Sequence, residues 1–133
     1  MIVVDASVLA PALGDDGADG DQARERLRGE RLVAPELVDL EVASVLRHAS
    51  REGRLDERRA RQALEDLAAI PLGRASHRPL LVRIWELREN LTAYDAAYVA
   101  VAEALEVALL TADERLRRAP GTRCDIELLA HSR

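Results

Sequence analysis

The stretch that decides the fold is Ile2-Val3-Val4-Asp5, a short apolar run that ends abruptly in a carboxylate. Val107-Ala108-Leu109-Leu110-Thr111 has the same character, and Asp113 follows it by two residues. Short apolar runs without alternation are typical of strands that are covered on both faces. In open α/β sheets, ligands bind beyond the carboxyl ends of the strands. Two acids at these positions therefore indicate a site.

Helical periodicity and further apolar runs surround these two strands. We expect strands at 2–4, 31–34, 70–72, 107–111 and 126–129, and helices at 7–13, 21–29, 36–51, 56–69, 79–89, 95–106 and 113–120. The Gly and Asp residues of 14–20 predict a mobile turn, while Leu64, Leu67 and Trp85 are expected to face the core. Strands separated by helices predict an α/β fold of three layers, αβα, around a mostly parallel central sheet.

Length and composition limit the number of domains. The chain has 133 residues, of which 48% are apolar and 32% charged, as in a soluble globular protein. We expect residues 1–130 to form a single domain and 131–133 to form a loose tail. No stretch approaches the roughly 18 apolar residues of a membrane span, and no leader pattern follows Met1, so a cytoplasmic protein without a membrane partner is expected.

Missing residue types exclude several kinds of chemistry. Cys124 is the single cysteine, so an internal disulfide and a cysteine zinc site are excluded. All 19 basic residues are arginine, and without lysine there is no phosphate-binding P-loop and no Schiff base. His48, His77 and His131 show no regular spacing and do not predict a histidine metal site.

Each of four acids has two interpretations when it is taken alone. Asp5 either caps the helix that begins near Ser7 or serves a site, because a carboxylate at a buried strand end needs a partner. Glu41 shares a helix face with small and apolar residues, so it either faces a cleft or reaches solvent. Asp95 and Asp113 precede helices, where aspartate is a favoured cap.

Together these residues resemble a known family. The segments that carry the resemblance are Ile2-Val3-Val4-Asp5-Ala6-Ser7, Glu41, Leu91-Thr92-Ala93-Tyr94-Asp95-Ala96-Ala97-Tyr98-Val99-Ala100 and Leu109-Leu110-Thr111-Ala112-Asp113. They are similar to the PIN domain, and specifically to the bacterial VapC toxins. The resemblance covers nearly the whole chain, with the acids in the family's order.

The resemblance implies a PIN-like fold and a metal-dependent endoribonuclease that is the toxin of a toxin–antitoxin pair. Its catalytic and metal-binding cluster would be Asp5, Glu41, Asp95 and Asp113, with Ser7 and Thr111 in support. Tyr94 stands beside Asp95 and is expected to line the same site. Many relatives carry a further acid where this chain has Leu116 and Arg117, and Glu114 is the nearest candidate.

The chemistry of clustered carboxylates leads to the same expectation. Carboxylates held together repel one another unless they are protonated or neutralised by a cation, and oxygen ligands favour Mg²⁺ or Mn²⁺. Such an ion activates water for attack on a phosphodiester.

RNA and protein partners follow from charge and family. A net charge of −5 argues against coating nucleic acid, so local arginines would have to hold the RNA backbone beside the acids. The candidates are Arg115, Arg117 and Arg118, followed by Arg47, Arg51 and Arg54. Solvated helix faces are the alternative interpretation of these arginines. Relatives commonly form homodimers and bind a VapB-like antitoxin, whose groove would lie near Leu37–Leu46 and Leu64–Leu67 unless these leucines are all core.

Two other functions compete with the nuclease. One is a catalytically inert PIN-like module for binding or assembly, in which the acids serve only folding. The other is a phosphohydrolase with an aspartyl nucleophile, which usually needs Asp-x-Asp after the first strand and a lysine. Here Ser7 occupies the second position of that motif, and the chain has no lysine.

Overall fold

A computed structural model describes residues 1–130 of the chain as a parallel sheet with helices on it. The strands are β1 Ile2–Val4, β2 Leu32–Pro35, β3 Leu72–Ala75, β4 Leu109–Thr111 and β5 Ile126–Leu128. The helices are α1 Ala6–Gly14, α2 Ala18–Leu27, α3 Val38–Arg51, α4 Glu57–Ala69, α5 Leu81–Glu86, α6 Ala93–Leu105 and α7 Glu114–Arg118. A short 3-10 helix, Arg78–Leu80, precedes α5. Residues 131–133, the predicted tail, lie outside the described residues.

All strand pairs are parallel, in the order β3-β2-β1-β4-β5. Val3 lies at the centre of the sheet, opposite Val33 on one side and Leu109 on the other. In chain order, β2 and β3 extend the sheet on one side of β1, and β4 and β5 then extend it on the other side. The switch in direction between β1 and β4 is where ligands bind in such sheets. The predicted α/β class and parallel sheet are confirmed.

Burial explains the apolar character of β1 and of the middle of α6. All three residues of β1 are at most 3% exposed, as expected for a central strand covered on both faces. Helix α6 is buried continuously over Ala96–Ala102 and contacts β1, β2 and β4. A helix that is apolar on every side is a buried helix. Its amino-terminal end, which carries Asp95, is therefore fixed relative to the strands.

Helix α2 begins at Ala18, three residues before the predicted start. The side chain of Asp15 accepts a hydrogen bond from the N–H of Gly17 over 2.7 Å and closes the preceding turn. A Cβ on Gly20 would lie 1.8 Å from the carbonyl oxygen of Asp15, so glycine allows the helix to begin against this turn. The glycines and aspartates indicated a longer turn because the local pattern does not show this contact.

Two apolar side chains lie outside the core, against expectation. Trp85 is 67% exposed, and the guanidinium of Arg88 stands 4.5 Å from its ring centroid. Leu64 is 40% exposed, whereas Leu67 is buried as predicted. The predicted helix 79–89 is also divided into the 3-10 helix and α5, so that Trp85 ends on the outer side of a short element. In the part of the chain described, no helix is long and apolar enough to cross a membrane.

Candidate active site

Asp5 follows β1 and lies beside the end of β4, where its N–H donates to the carbonyl of Leu110 over 2.9 Å. Its side chain is not a helix cap: Asp5 occupies the N-cap position of α1 but makes no capping hydrogen bond. Instead its Oδ2 accepts from the hydroxyls of Ser7 and Thr111, both over 2.7 Å. Asp5 is 7% exposed, so these two donors offset the cost of burying its carboxylate.

Backbone amides orient both of these hydroxyls. Ser7 Oγ accepts from the N–H of Ala112 over 2.9 Å, and Thr111 Oγ1 accepts from the N–H of Asp113 over 3.0 Å. Because each oxygen already accepts a backbone hydrogen, its own proton is free to point at Asp5. Both hydroxyls bind Oδ2, and no hydrogen bond described for residues 1–130 engages Oδ1 of Asp5, so Oδ1 is available to a ligand.

Glu41 projects from α3 towards α6. Its Oε1 accepts from the phenol hydroxyl of Tyr98 over 2.6 Å. Burial raises the pKa of Glu41, and the charges of Asp5 and Asp95 raise it further, while the Tyr98 hydrogen bond opposes them. Burial and the Glu41 carboxylate in turn raise the pKa of Tyr98 far above its usual range, so the phenol stays a donor.

Asp95 lies in the first turn of α6, but its side chain is not the cap. Thr92 is the N-cap residue, and its Oγ1 accepts from the N–H of Asp95 over 3.2 Å. The Thr92 hydroxyl, rather than the Asp95 carboxylate, therefore caps α6. Burial raises the pKa of Asp95, the charges of Asp5 and Asp113 add to the increase, and Thr92 and Arg115 oppose it.

Asp113 has both of the roles considered for it. As the N-cap of α7, its Oδ1 accepts from the N–H of Arg115 over 2.9 Å, which confirms the cap interpretation. Its negative charge also raises the pKa of Asp95, which lies on α6. One carboxylate therefore both begins a helix and contributes to the acidic group.

The structure brings the four predicted acids into one electrostatic group. The charges of Asp5 and Asp95 raise the pKa of Glu41, and the charges of Asp5 and Asp113 raise the pKa of Asp95. Even so, no three His, Cys, Asp or Glu side chains among residues 1–130 are gathered closely enough to hold a metal ion as they stand. All four side chains are carboxylates, and oxygen is the donor type that hard divalent cations take in proteins.

The predicted arginines differ in their distance from the acids. Arg115 is exposed and its Nη2 lies 3.5 Å from Oδ2 of Asp113, so it is at the site. Arg117 and Arg118 pair with Glu114 instead, and these pairs neutralise the candidate fifth acid. Arg47 and Arg51 are exposed on α3 but lie about 9 and 15 Å along the helix from Glu41 at 1.5 Å per residue.

Two residues at the site were not singled out from the sequence. Tyr98 binds Glu41, and its place three residues after Asp95 puts both on one face of α6. Thr92 is the helix cap, and the spacing Thr92-Ala93-Tyr94-Asp95 is a capping pattern that was available to find it. Tyr94, predicted to line the site, is 65% exposed, and none of the hydrogen bonds described for residues 1–130 joins it to an acid.

Comparison with known proteins identifies the family of this chain. The sequence pattern of the family described as PIN domain matches residues 2–121. This chain belongs to the PIN domain family. Within it, the chain is similar to the curated VapC ribonuclease Mb0985 of Mycobacterium bovis, at 46% identity over 129 residues, covering 97% of this chain and 98% of that relative.

Solved structures show the same fold. The crystal structure of PAE2754 from Pyrobaculum aerophilum is 28% identical, has a TM-score of 0.67, and is matched over 94% of this chain and 81% of that one. VapBC2 from Rickettsia felis, in a crystal structure bound to a DNA fragment from its promoter, has a TM-score of 0.69 at 14% identity. That match covers 96% of this chain and 98% of the other, and it shows likeness of fold.

Proposed function

We propose that this chain is an endoribonuclease that hydrolyses RNA phosphodiester bonds with Mg²⁺ or Mn²⁺, and that it is the toxin of a toxin–antitoxin pair. The observation that carries the proposal is the group of four carboxylates, supplied by the ends of β1 and β4 and by α3 and α6, at the switch point of the sheet. Its curated relatives of 46% identity are VapC ribonucleases, which are hydrolases and generally depend on a divalent metal.

The residues that would hold the metal are Asp5, Glu41, Asp95 and Asp113. A bound divalent ion supplies an activated water and neutralises charge that develops on the phosphate. Asp5 offers Oδ1 because its other oxygen is held by two hydroxyls. The raised pKa values of Glu41 and Asp95 mean that protons compete with the cation at these two carboxyls. Four ionised carboxylates carry more negative charge than one divalent ion neutralises. The acids therefore repel the substrate phosphate, which other residues must hold.

The RNA backbone requires positive charge beside these acids. Arg115 stands at the rim of the group, on the first turn of α7, with its side chain almost fully exposed. Arg117 and Arg118 lie on the same short helix. We assign phosphate contacts to Arg115 first, because arginines at the rim attract a backbone that the acids would otherwise repel. Tyr94 remains a predicted lining residue. We also propose that the protein acts in the cytoplasm, where cellular RNA is available to it.

The proposed protein partner is a VapB-like antitoxin, as in the VapBC2 complex from Rickettsia felis, which shares this fold. The predicted groove contains both core and surface residues. Leu46 and Leu67 are buried, but Leu40, Val45 and Leu64 are exposed. Val45 and Leu46 line a cleft of about 490 Å³ between α1 and α3. An amphipathic antitoxin segment would cover this apolar surface. The homodimer remains a prediction, tested by light scattering of the isolated protein.

Cleavage of total RNA by the purified protein tests the proposal. Reactions with Mg²⁺ and with Mn²⁺ are compared with reactions in EDTA and with an Asp5→Asn variant. We expect discrete fragments that require the metal and are absent with the variant, because Asp5 is the most buried of the four acids. Fragments that persist in EDTA, or that Asp5→Asn produces equally well, would contradict the proposed function.

A further inference from the structure

Tyr98 connects the buried face of α6 to a carboxylate that another helix supplies. Its side chain has no exposed surface, and its hydroxyl donates to Oε1 of Glu41 over 2.6 Å. Within residues 1–130 no other hydrogen bond engages the carboxylate of Glu41. The orientation of Glu41 therefore depends on this phenol, just as the orientation of Asp5 depends on Ser7 and Thr111.

The position of Tyr98 in α6 places its hydroxyl on the same helix face as Asp95. Tyr98 and Asp95 lie three residues apart and so share a helix face. One face of α6 thus supplies a carboxylate directly at Asp95 and fixes a second one, Glu41, through a hydrogen bond. The ring of Tyr98 is enclosed in the core, so the hydroxyl has little freedom to move. Glu41, by contrast, has a long side chain that would lose rotamer freedom on binding a cation.

We propose that Tyr98 is a positioning residue for the metal site. Its hydroxyl occupies Oε1 of Glu41, which would leave Oε2 to a cation held together with Asp5 and Asp95. The inference rests on the proposed function, because it assumes that these acids hold a divalent ion. Partners of this kind fix a ligand before the metal arrives, and their loss typically weakens metal binding about 10- to 100-fold. Tyr98 does not itself contact the metal or the RNA.

Calorimetric titration with Mn²⁺ alone tests the inference without RNA. Tyr98→Phe removes only the hydroxyl, and we expect it to weaken Mn²⁺ binding about 10-fold or more. The matched control is the same change in a Glu41→Ala background, which removes the acceptor of the hydroxyl. There the hydroxyl has no carboxylate to orient, so Tyr98→Phe should cause no further loss, and the double-mutant cycle isolates the pair. Thermal unfolding of the metal-free variants checks that each is folded.

The possible results separate the inference from the function on which it rests. No Mn²⁺ binding by the wild type would overturn the proposed function itself. Normal wild-type binding with equal affinity for Tyr98→Phe would overturn only the inference about Tyr98. An equal loss in both backgrounds would also overturn it, because the effect would then not pass through Glu41.

A measurement on the unaltered chain covers the case in which Tyr98→Phe does not fold. The protein has two tyrosines, so labelling with tyrosine carrying ¹³C at the ζ carbon gives two NMR signals, assigned with Tyr94→Phe. We expect the Tyr98 signal to shift during an Mg²⁺ titration and to saturate with the metal, since its acceptor becomes a ligand. In Glu41→Ala, which has no acceptor for the phenol, the signal should stay fixed. A Tyr98 signal that does not move in the wild type would overturn the inference.

Discussion

Replacing Thr111 with valine tests whether the hydroxyls beside Asp5 stabilise the site. Thr111 is fully buried, donates to Asp5 over 2.7 Å and accepts from the N–H of Asp113 over 3.0 Å. Valine keeps the branched shape but removes both hydrogen bonds. A hydrogen bond to a charged group is worth about 1.5–3 kcal/mol, and an amide left without a partner costs about 1–3 kcal/mol.

The added methyl group offsets up to about 0.8 kcal/mol of this loss. The expected net loss in the free energy of unfolding is therefore about 2–5 kcal/mol, which lowers Tm by roughly 7–18 °C for a domain of this size. Metal binding should also weaken about 10-fold or more, because Asp5 loses one of the two donors that orient it.

Thermal unfolding and Mn²⁺ titration of the same samples provide the assay. Thr122→Val is the matched control, since it makes the same change at a loop residue for which no side-chain hydrogen bond is described. We expect this control to unfold and to bind metal like the wild type. A Thr111→Val variant as stable as the control, with unchanged Mn²⁺ affinity, would refute the role assigned to the hydroxyl.

Three further predictions concern the acids, the arginines and the fold. Asp95→Asn should abolish cleavage yet raise the Tm of the metal-free protein at pH 7.5. The pKa of Asp95 is raised in the folded state, so ionisation of Asp95 destabilises the fold as the pH rises through that pKa. A lower Tm for the variant would contradict this prediction. Arg115→Ala should weaken RNA binding and reduce its salt dependence while Mn²⁺ affinity is retained; an unchanged salt slope would argue against a phosphate contact. Gly20→Ala should destabilise the protein by more than about 1 kcal/mol, because the new Cβ would lie 1.8 Å from the carbonyl oxygen of Asp15. Gly73→Ala should be tolerated, because the nearest atom to its new Cβ is 3.5 Å away. Denaturant unfolding compares the stabilities of the two variants.

Strands β1, β2, β4 and β5 could be predicted from the sequence because their signals are local, whereas β3 was expected at 70–72 and lies at Leu72–Ala75. The run Ile2–Val4 and the acid after it indicate a buried strand and its carboxyl end without knowledge of any neighbour. Helix α4 was likewise predicted within one residue, because Asp56 supplies a true N-cap by accepting from the N–H of Arg59. In these cases the residues that determine the structure lie next to one another in the chain.

The errors arise where the deciding contact is distant or where a short element has few neighbours. Trp85 is apolar, but α5 has only six residues and leaves it on the surface. The roles of Asp5 and Asp95 could not be separated from capping by sequence, because both occupy positions that favour a cap. Only their hydrogen bonds show that neither carboxylate is used for capping. The contact between Tyr98 and Glu41 joins residues 57 positions apart, beyond the reach of local patterns.

The most direct test of the central claim, that the four acids form one metal site, is calorimetric titration with Mn²⁺ at pH 7.5. The wild type is compared with Asp5→Asn plus Asp95→Asn, and with the control Glu65→Gln plus Asp125→Asn. The control removes the same two charges from an exposed helix face and from the amino end of β5, opposite the site. We predict saturable binding by the wild type and the control and none by the first double variant. Equal binding by both double variants, or no binding by the wild type, would contradict the account and favour an inert PIN-like module.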